Sequence, residues 1–247
     1  MFPFANFLGE TTLCAFSALL RPREFRFRDF LLAFQRAAYE GMPVTLGIGF
    51  LLGVILAFQS AALLQQFGVE TFVADMLAIA LFRELGPIVT AGVLAGRSGS
   101  AFAAEIGTMK VDEELDALTT MGLRPVRFLV MPRVVAAIVA MPLLTIAAEL
   151  IGLFGGAIVL ELMRVPQTVF WARVASASSA FAIGFGLVKS MLFGLLVALI
   201  GCYSGMRTLN TADGVGVSAT KAVVGGIVAI TVSDGILAVI CYVWGLM

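Results

Sequence analysis

The chain contains no histidine, so the commonest general base, proton relay and zinc ligand is missing at a stroke. Its three cysteines, Cys14, Cys202 and Cys241, lie far apart among apolar neighbours. They lack the paired spacing of a metal or redox site and read as small buried hydrophobes. A phosphate-binding loop is absent as well. The nearest approach, GFGLVKS at 184–190, lacks the glycine before its lysine and falls inside an apolar run. Charge is scarce: 13% of the 247 residues are charged and 60% hydrophobic, with a mean hydropathy of +1.03. That is too little polar surface to cover a soluble globule, so an integral membrane protein is expected. Neither sign is in excess, since sixteen basic residues balance sixteen acidic ones, and nothing here points to nucleic acid.

What the chain has instead is a series of long apolar runs. Roughly 20 residues cross the hydrocarbon, and five runs qualify: 42–64, 73–104, 134–160, 180–204 and 222–246. The second exceeds what a crossing needs and must tilt, kink or project. Orientation follows from Lys and Arg near the run ends. Twelve lie in the N-terminal stretch, in 97–133 and in 207–221, whereas only Arg164 and Arg173 lie on the other side. The N-terminus is therefore expected in the cytoplasm and the C-terminus outside. Residues 1–40 form a region of their own ahead of the five-span part, 41–247. Phenylalanines there alternate with polar groups and with Arg21, Arg23, Arg26 and Arg28, the pattern of an amphipathic helix lying in the interface. No basic residue precedes its apolar part and no small-residue cleavage site follows, so a cleaved signal peptide is not expected.

Glycines recur at the four-residue spacing that lets membrane helices approach closely: Gly49 and Gly53, Gly92 and Gly96, Gly152 and Gly156, Gly201 and Gly205. The spacing suits packing within the chain and equally a contact between two copies.

Charges inside the runs are costly, about 2.5–3.5 kcal/mol each at a helix centre. They are Arg83, Glu84, Glu149, Lys189 and Asp234. Glu84 lies about 13 Å along a helix from Asp75, and Lys189 about as far from Ala180. Both distances start from the same side of the membrane, so the two side chains are expected to meet at one depth, with Asp234 nearby and Arg83 on an adjoining face. Such a group either lines a polar pocket or simply fixes helix packing. Pro87 removes one helical hydrogen bond and clashes with the carbonyl of Arg83, which predicts a kink beside the charges.

Residues 105–121, EIGTMKVDEELDALTTM, connect the second and third runs. On a helix Val111, Leu115 and Leu118 form one stripe while Asp112, Glu113 and Asp116 crowd the other side. Gly122 suits a C-terminal cap, and Pro125 prevents continuation. Interfacial helices usually carry basic residues, so this acidic one is better matched to a protein partner.

The stretch RELGPIVTAGVLAGRSGSAFAAEIGTMKVDEELDALTTMGLRPVRFLVMPRV at 83–134 resembles the signature region of the MlaE-type permeases, the membrane subunits of ABC transporters that work with MCE proteins in lipid trafficking. The resemblance continues through LVKSMLFGLLVALIGCYSGM, the loop TADGVGVSATKAVV and the run holding Asp234, covering roughly residues 40–247. It implies an all-α integral membrane protein of the bacterial inner membrane, with an N-terminal interfacial helix, five transmembrane helices and a cytoplasmic coupling helix between the second and third. It also implies a homodimer, a lipid path open toward a periplasmic MCE ring, and a small STAS-like regulatory subunit. ATP and Mg would be held by a partner ATPase dimer, with no metal, cofactor or catalytic residue on this chain. By position, Arg83, Glu84, Lys189 and Asp234, with Gln59, would belong to the lipid path. Glu105, Gly107, Thr108, Met109, Asp112, Glu113, Asp116 and Leu118 would form the coupling helix, and Pro87, Gly92, Gly96 and Gly99 a hinge and packing seam.

Two other readings compete. Gly96, Arg97, Ser98 and Gly99 spell the G-x-S-G of an intramembrane serine protease, yet no histidine exists to activate Ser98. An ion-coupled secondary transporter would use Glu84 and Asp234 as proton sites, although the later runs show no inverted repeat of the earlier ones.

Overall fold

The computed structural model describes residues 4–20 and 26–243, with backbone alone for 15–20. Arg21, Arg23 and the expected end of the last span at 244–246 lie outside the described residues. Within them every regular element is helical: α1 (Phe4–Leu20), α2 (Phe27–Ala38), α3 (Met42–Leu64), α4 (Phe72–Ala80), α5 (Gly86–Leu94), α6 (Ser100–Val111), α7 (Glu114–Thr120), α8 (Met131–Leu162), α9 (Gln167–Ala177), α10 (Ala180–Met206) and α11 (Ala212–Val243). Five assemblies are long and apolar enough to cross a membrane, namely Phe27–Phe67, Phe72–Val111, Val126–Leu162, Ala180–Met206 and Ala212–Val243. The protein is thus the all-α, five-span membrane protein that its composition demands.

The leader holds two helices where one was expected. α1 buries a stripe of Phe7, Thr11 and Cys14, and the rings of Phe4 and Phe7 lie 4.9 and 5.4 Å from that of Tyr203 on α10. Its apolar residues therefore pack on the bundle. α2 is the amphipathic element. Phe30, Phe34 and Ala37 turn inward, while Phe27, Leu31 and Leu32 stay exposed.

Glycine governs how closely the spans approach. α3 lies along α8 because Gly49 and Gly53 face Ala148 and Gly152, and a Cβ on Gly49 would sit 2.7 Å from the carbonyl oxygen of Ala148. α10 meets the second span the same way: a Cβ on Gly201 would fall 2.7 Å from the oxygen of Gly99, and one on Gly205 2.8 Å from that of Ala103. Backbone contact this close gains dispersion without a cost in side-chain entropy. Gly92 and Gly96 differ, for a Cβ there would meet nothing within 4 Å. Of the three glycines in the expected packing seam, Gly99 is packed within the chain, against Val197, as is Pro87, which is buried beside Gly186.

The second span is not a plain α-helix. Two π turns, Leu81–Leu85 and Ala95–Gly99, flank α5, and a third, Val126–Val130, opens the next span. The first explains how Pro87 is accommodated. The N–H of Gly86 reaches back five residues to the oxygen of Leu81, so the turn ahead of the proline widens and the helix continues into α5. The kink expected at Pro87 is taken up as a π bulge.

The connecting segment also departs from expectation. Residues 105–111 complete the second span as part of α6, and the expected helix over 105–121 is broken at Asp112 and Glu113. Glu113 takes a left-handed conformation with φ of 60°. An unbroken helix would stack Asp112 over Asp116 and extend the apolar span straight into water; the break relieves the like-charge pair and turns the chain back. α7 ends as foreseen at Gly122, whose φ is 75°. The N–H of Gly122 bonds to Thr119 and that of Leu123 to Leu118, both at 3.0 Å, which is the Schellman arrangement.

Candidate functional site

Three helices bring their intramembrane charges to one place. Glu84 comes from the first π turn, Lys189 from the third turn of α10 and Asp234 from α11. The Lys189 ammonium bridges the two carboxylates, donating a hydrogen bond to Glu84 Oε2. It meets Asp234 Oδ1 as an ion pair without an aligned hydrogen bond. Arg83 Nε lies 3.8 Å from Glu84 Oε1. Two negative and two positive charges therefore cancel within one cluster.

The cluster has a defined inside and outside. The side chain of Lys189 is 1% exposed, whereas those of Glu84 and Asp234 are 35% and 20% exposed. The ammonium forms the floor and the carboxylates the rim. Phe185 and Phe193, one helical turn before and after Lys189, place their rings about 6 Å from it, at 6.0 and 5.9 Å. At that distance the rings add little direct attraction, but they exclude water from the floor. A bare ammonium there would be untenable, which makes the carboxylates obligatory partners.

The local backbone delivers these side chains. The π turn rotates Arg83 and Glu84 by one position relative to an α-helix, and it frees the Phe82 carbonyl, since Pro87 has no N–H to offer it. That oxygen points at Gly186 on α10, and any Cβ there would collide with it. α10 can therefore come close enough for Lys189 to reach Glu84.

Gln59 is not in this group. It stands on the exposed side of α3 with Ile55 and Leu63, because the small residues Gly53, Ala57 and Ala61 occupy the inward side. Glu149, the remaining intramembrane charge, is also outside the cluster: it is 2% exposed and presses on Gly86, where a Cβ would lie 2.7 Å from its Cγ and its Oε1. Phe185 and Phe193 were not foreseen, although their placement four residues either side of Lys189 is the spacing at which helical neighbours touch.

At the α7 end, the residues expected in the coupling helix divide into two sets. Glu105 is tied into the bundle, accepting from Arg133 Nη2 at 2.9 Å and pairing with Arg36. Gly107 seats Thr208, whose Oγ1 would be 2.7 Å from a Cβ there. Thr108 and Met109 belong to the last turns of α6. Asp112, Glu113, Glu114 and Asp116 are exposed and make no ion pair among the described residues, while Leu115 and Leu118 hold α7 against the bundle. At the opposite end Arg173 of α9 donates to Asp75 Oδ2 at 3.2 Å and lies over the Phe72 ring, fixing α9 to α4.

Comparison with known proteins agrees with this architecture. The chain is 39% identical to a probable ABC transporter permease protein of Synechocystis sp. over 200 residues, 81% of this chain and 76% of that one. It is 33% identical to the intermembrane phospholipid transport system permease protein MlaE of Haemophilus influenzae over 243 residues, 97% of this chain and 93% of the relative. An Arabidopsis thaliana relative, the chloroplastic protein TRIGALACTOSYLDIACYLGLYCEROL 1, is 32% identical over 216 residues, 87% of this chain and 62% of that protein. The family model described as Permease MlaE matches residues 30–240, and the chain belongs to the MlaE permease family.

Proposed function

We propose that the chain is the membrane subunit of an ATP-driven transporter of phospholipid, and that the lipid headgroup is handled at the Glu84–Lys189–Asp234 cluster. The observation that carries this reading is the buried Lys189 ammonium, held between two partly exposed carboxylates in an otherwise apolar bundle. A phosphodiester bears the same single negative charge as one carboxylate. It can take the place of Asp234 or Glu84 on the ammonium, so that Lys189 keeps anionic partners throughout, and the displaced carboxylate returns when the lipid leaves. Arg83 keeps Glu84 paired meanwhile. The exchange needs no proton transfer and no metal.

The energy source is a separate ATPase dimer that holds ATP and Mg, since this chain has no phosphate loop. Its contact is the acidic turn around Asp112, Glu113 and Asp116, backed by Leu118. The two π turns bracketing α5 let that segment pivot as the motor moves the α7 end, carrying Glu84 toward or away from Lys189. A second copy of the chain packs along α11, much of whose apolar surface is uncovered, and along the open Gly92–Gly96 face beside it. In this reading the protein sits in the bacterial inner membrane with its N-terminus in the cytoplasm. An MCE ring receives or delivers lipid at the periplasmic α9 end, and a small STAS-like subunit accompanies the ATPase.

Reconstitution tests the proposal. The purified complex in liposomes, given fluorescent phospholipid and ATP, should transfer lipid to an MCE acceptor, lose transfer on Lys189→Met, and be indifferent to collapse of the proton gradient. Transfer that continues without the ATPase and stops with the gradient would establish the secondary-transporter alternative instead.

A further inference from the structure

A second concave site, of about 730 Å³, lies at the α7 end where α1, α6, α10 and the start of α11 converge. Lys110, Arg207 and Lys221 line it against one carboxylate, Glu10. We propose that it binds a phosphate-bearing anion, with the headgroup of an acidic phospholipid of the adjoining leaflet as occupant. The site lies roughly 27 Å along α10 from Lys189, so it is separate from the charged cluster and independent of whether that cluster carries lipid.

The donors are held in place with capacity to spare. Lys110 gives one proton to the Met206 carbonyl at 2.9 Å, which anchors its ammonium to the wall and leaves two more. Arg207 donates Nη1 to the Tyr203 hydroxyl at 2.8 Å and lies over the same ring, leaving its other N–H groups available. Lys221 is exposed and makes no ion pair among the described residues. Ser218 is 5% exposed and accepts from Thr208 at 2.8 Å, so its own hydroxyl proton is left to donate. A phosphate, with several acceptor oxygens and at least one charge, matches this set better than a carboxylate or a neutral polar group.

The walls favour a lipid source. Phe7 and Tyr203 make one side apolar, and Leu209, 70% exposed, stands at the edge. A headgroup among the cations can thus keep its glycerol and first methylenes against aromatic surface. Basic pockets between membrane helices take anionic headgroups in this way.

The test is native mass spectrometry of the full chain in mild detergent, offered equal amounts of phosphatidylglycerol and phosphatidylcholine with matched acyl chains. Phosphatidylglycerol should be retained preferentially, and R207Q/K221Q should lower its retention about thirtyfold, while R207K/K221R keeps it. Both positions are exposed, and an unchanged melting temperature will show that the double variant folds. Displacement of the lipid by excess inorganic phosphate, lost in R207Q/K221Q, would support the anion site but assign it to soluble phosphate esters; resistance to displacement assigns it to lipid. Equal retention of both lipids, or of phosphatidylglycerol by wild type and R207Q/K221Q, would overturn the proposal. So would retention that vanishes in the folded triple variant Glu84→Gln/Lys189→Met/Asp234→Asn while Arg207 and Lys221 are intact, which would place the lipid at the charged cluster.

Discussion

The carbonyl oxygen of Phe82 and the Cα of Gly186 meet where the second span crosses α10, in space that any side chain would fill. The contact exists because the π turn and Pro87 together leave that oxygen without a helical partner, and a Cα–H is the donor on offer. Gly186→Ala must push the helices apart or force the π turn to rearrange. We expect a loss of about 1–3 kcal/mol, seen as a lower melting temperature in detergent. Gly184→Ala, one turn-half away with nothing within 4 Å of its Cβ position, should melt like wild type. Equal melting of the two variants would mean that the close approach is not a constraint.

The cluster predicts opposite outcomes for stability and transport. Lys189→Met leaves two carboxylates facing each other in an apolar site, and removing one partner of a buried pair costs about 3–5 kcal/mol. Neutralising all three groups, as Glu84→Gln, Lys189→Met and Asp234→Asn, should restore part of the stability, with Arg83 left as the one charge without its carboxylate. It should not restore lipid transfer, because the ammonium that exchanges a carboxylate for phosphate is gone. Transfer recovering in step with melting temperature would reduce the cluster to a packing device.

These positions show how much was legible beforehand. The depth of Glu84 and Lys189 could be counted from the run ends at 1.5 Å per residue, and the two do meet. Gln59 could not be assigned a side by counting, because hydropathy in 42–64 is nearly uniform and the decisive signal is the small residues Gly49, Gly53, Ala57 and Ala61. π turns leave no hydropathy trace, since one extra residue per turn alters hydrogen bonding and not composition. The break at Asp112 and Glu113 was hinted at by four acids in five positions, but a left-handed glutamate is a tertiary solution that local propensity opposes. Which glycine pairs pack inside the chain required the partner helices to be in place.

The acidic turn and the Glu105 network should separate under mutation. Replacing Asp112, Glu113 and Asp116 by lysine alters exposed side chains, so the chain should fold and melt normally while copurification of the ATPase falls at least about tenfold. Glu105→Lys should act in reverse, lowering the melting temperature by setting three cations together with Arg36 and Arg133. Pull-down and melting curves on both variants decide it. Undiminished ATPase recovery with the triple lysine variant would remove the turn from the motor contact.

Gly92 and Gly96 keep the close-approach spacing, yet a Cβ on either would meet nothing within 4 Å among the described residues, whereas Gly53 faces the Gly152 backbone directly. The same substitution should therefore have two different consequences. Gly53→Leu drives a side chain into α8 and should abolish folded protein. Gly96→Leu has room within the protomer, so the chain should remain folded and monodisperse, but its added bulk stands where a second copy would approach. Molar mass by light scattering, corrected for detergent, should fall from two chains to one in Gly96→Leu. Thr231→Leu, exposed on α11, offers an independent probe of the same face. If both variants keep the mass of the wild-type assembly, the copies meet elsewhere, and the Gly92–Gly96 face must instead be open to lipid.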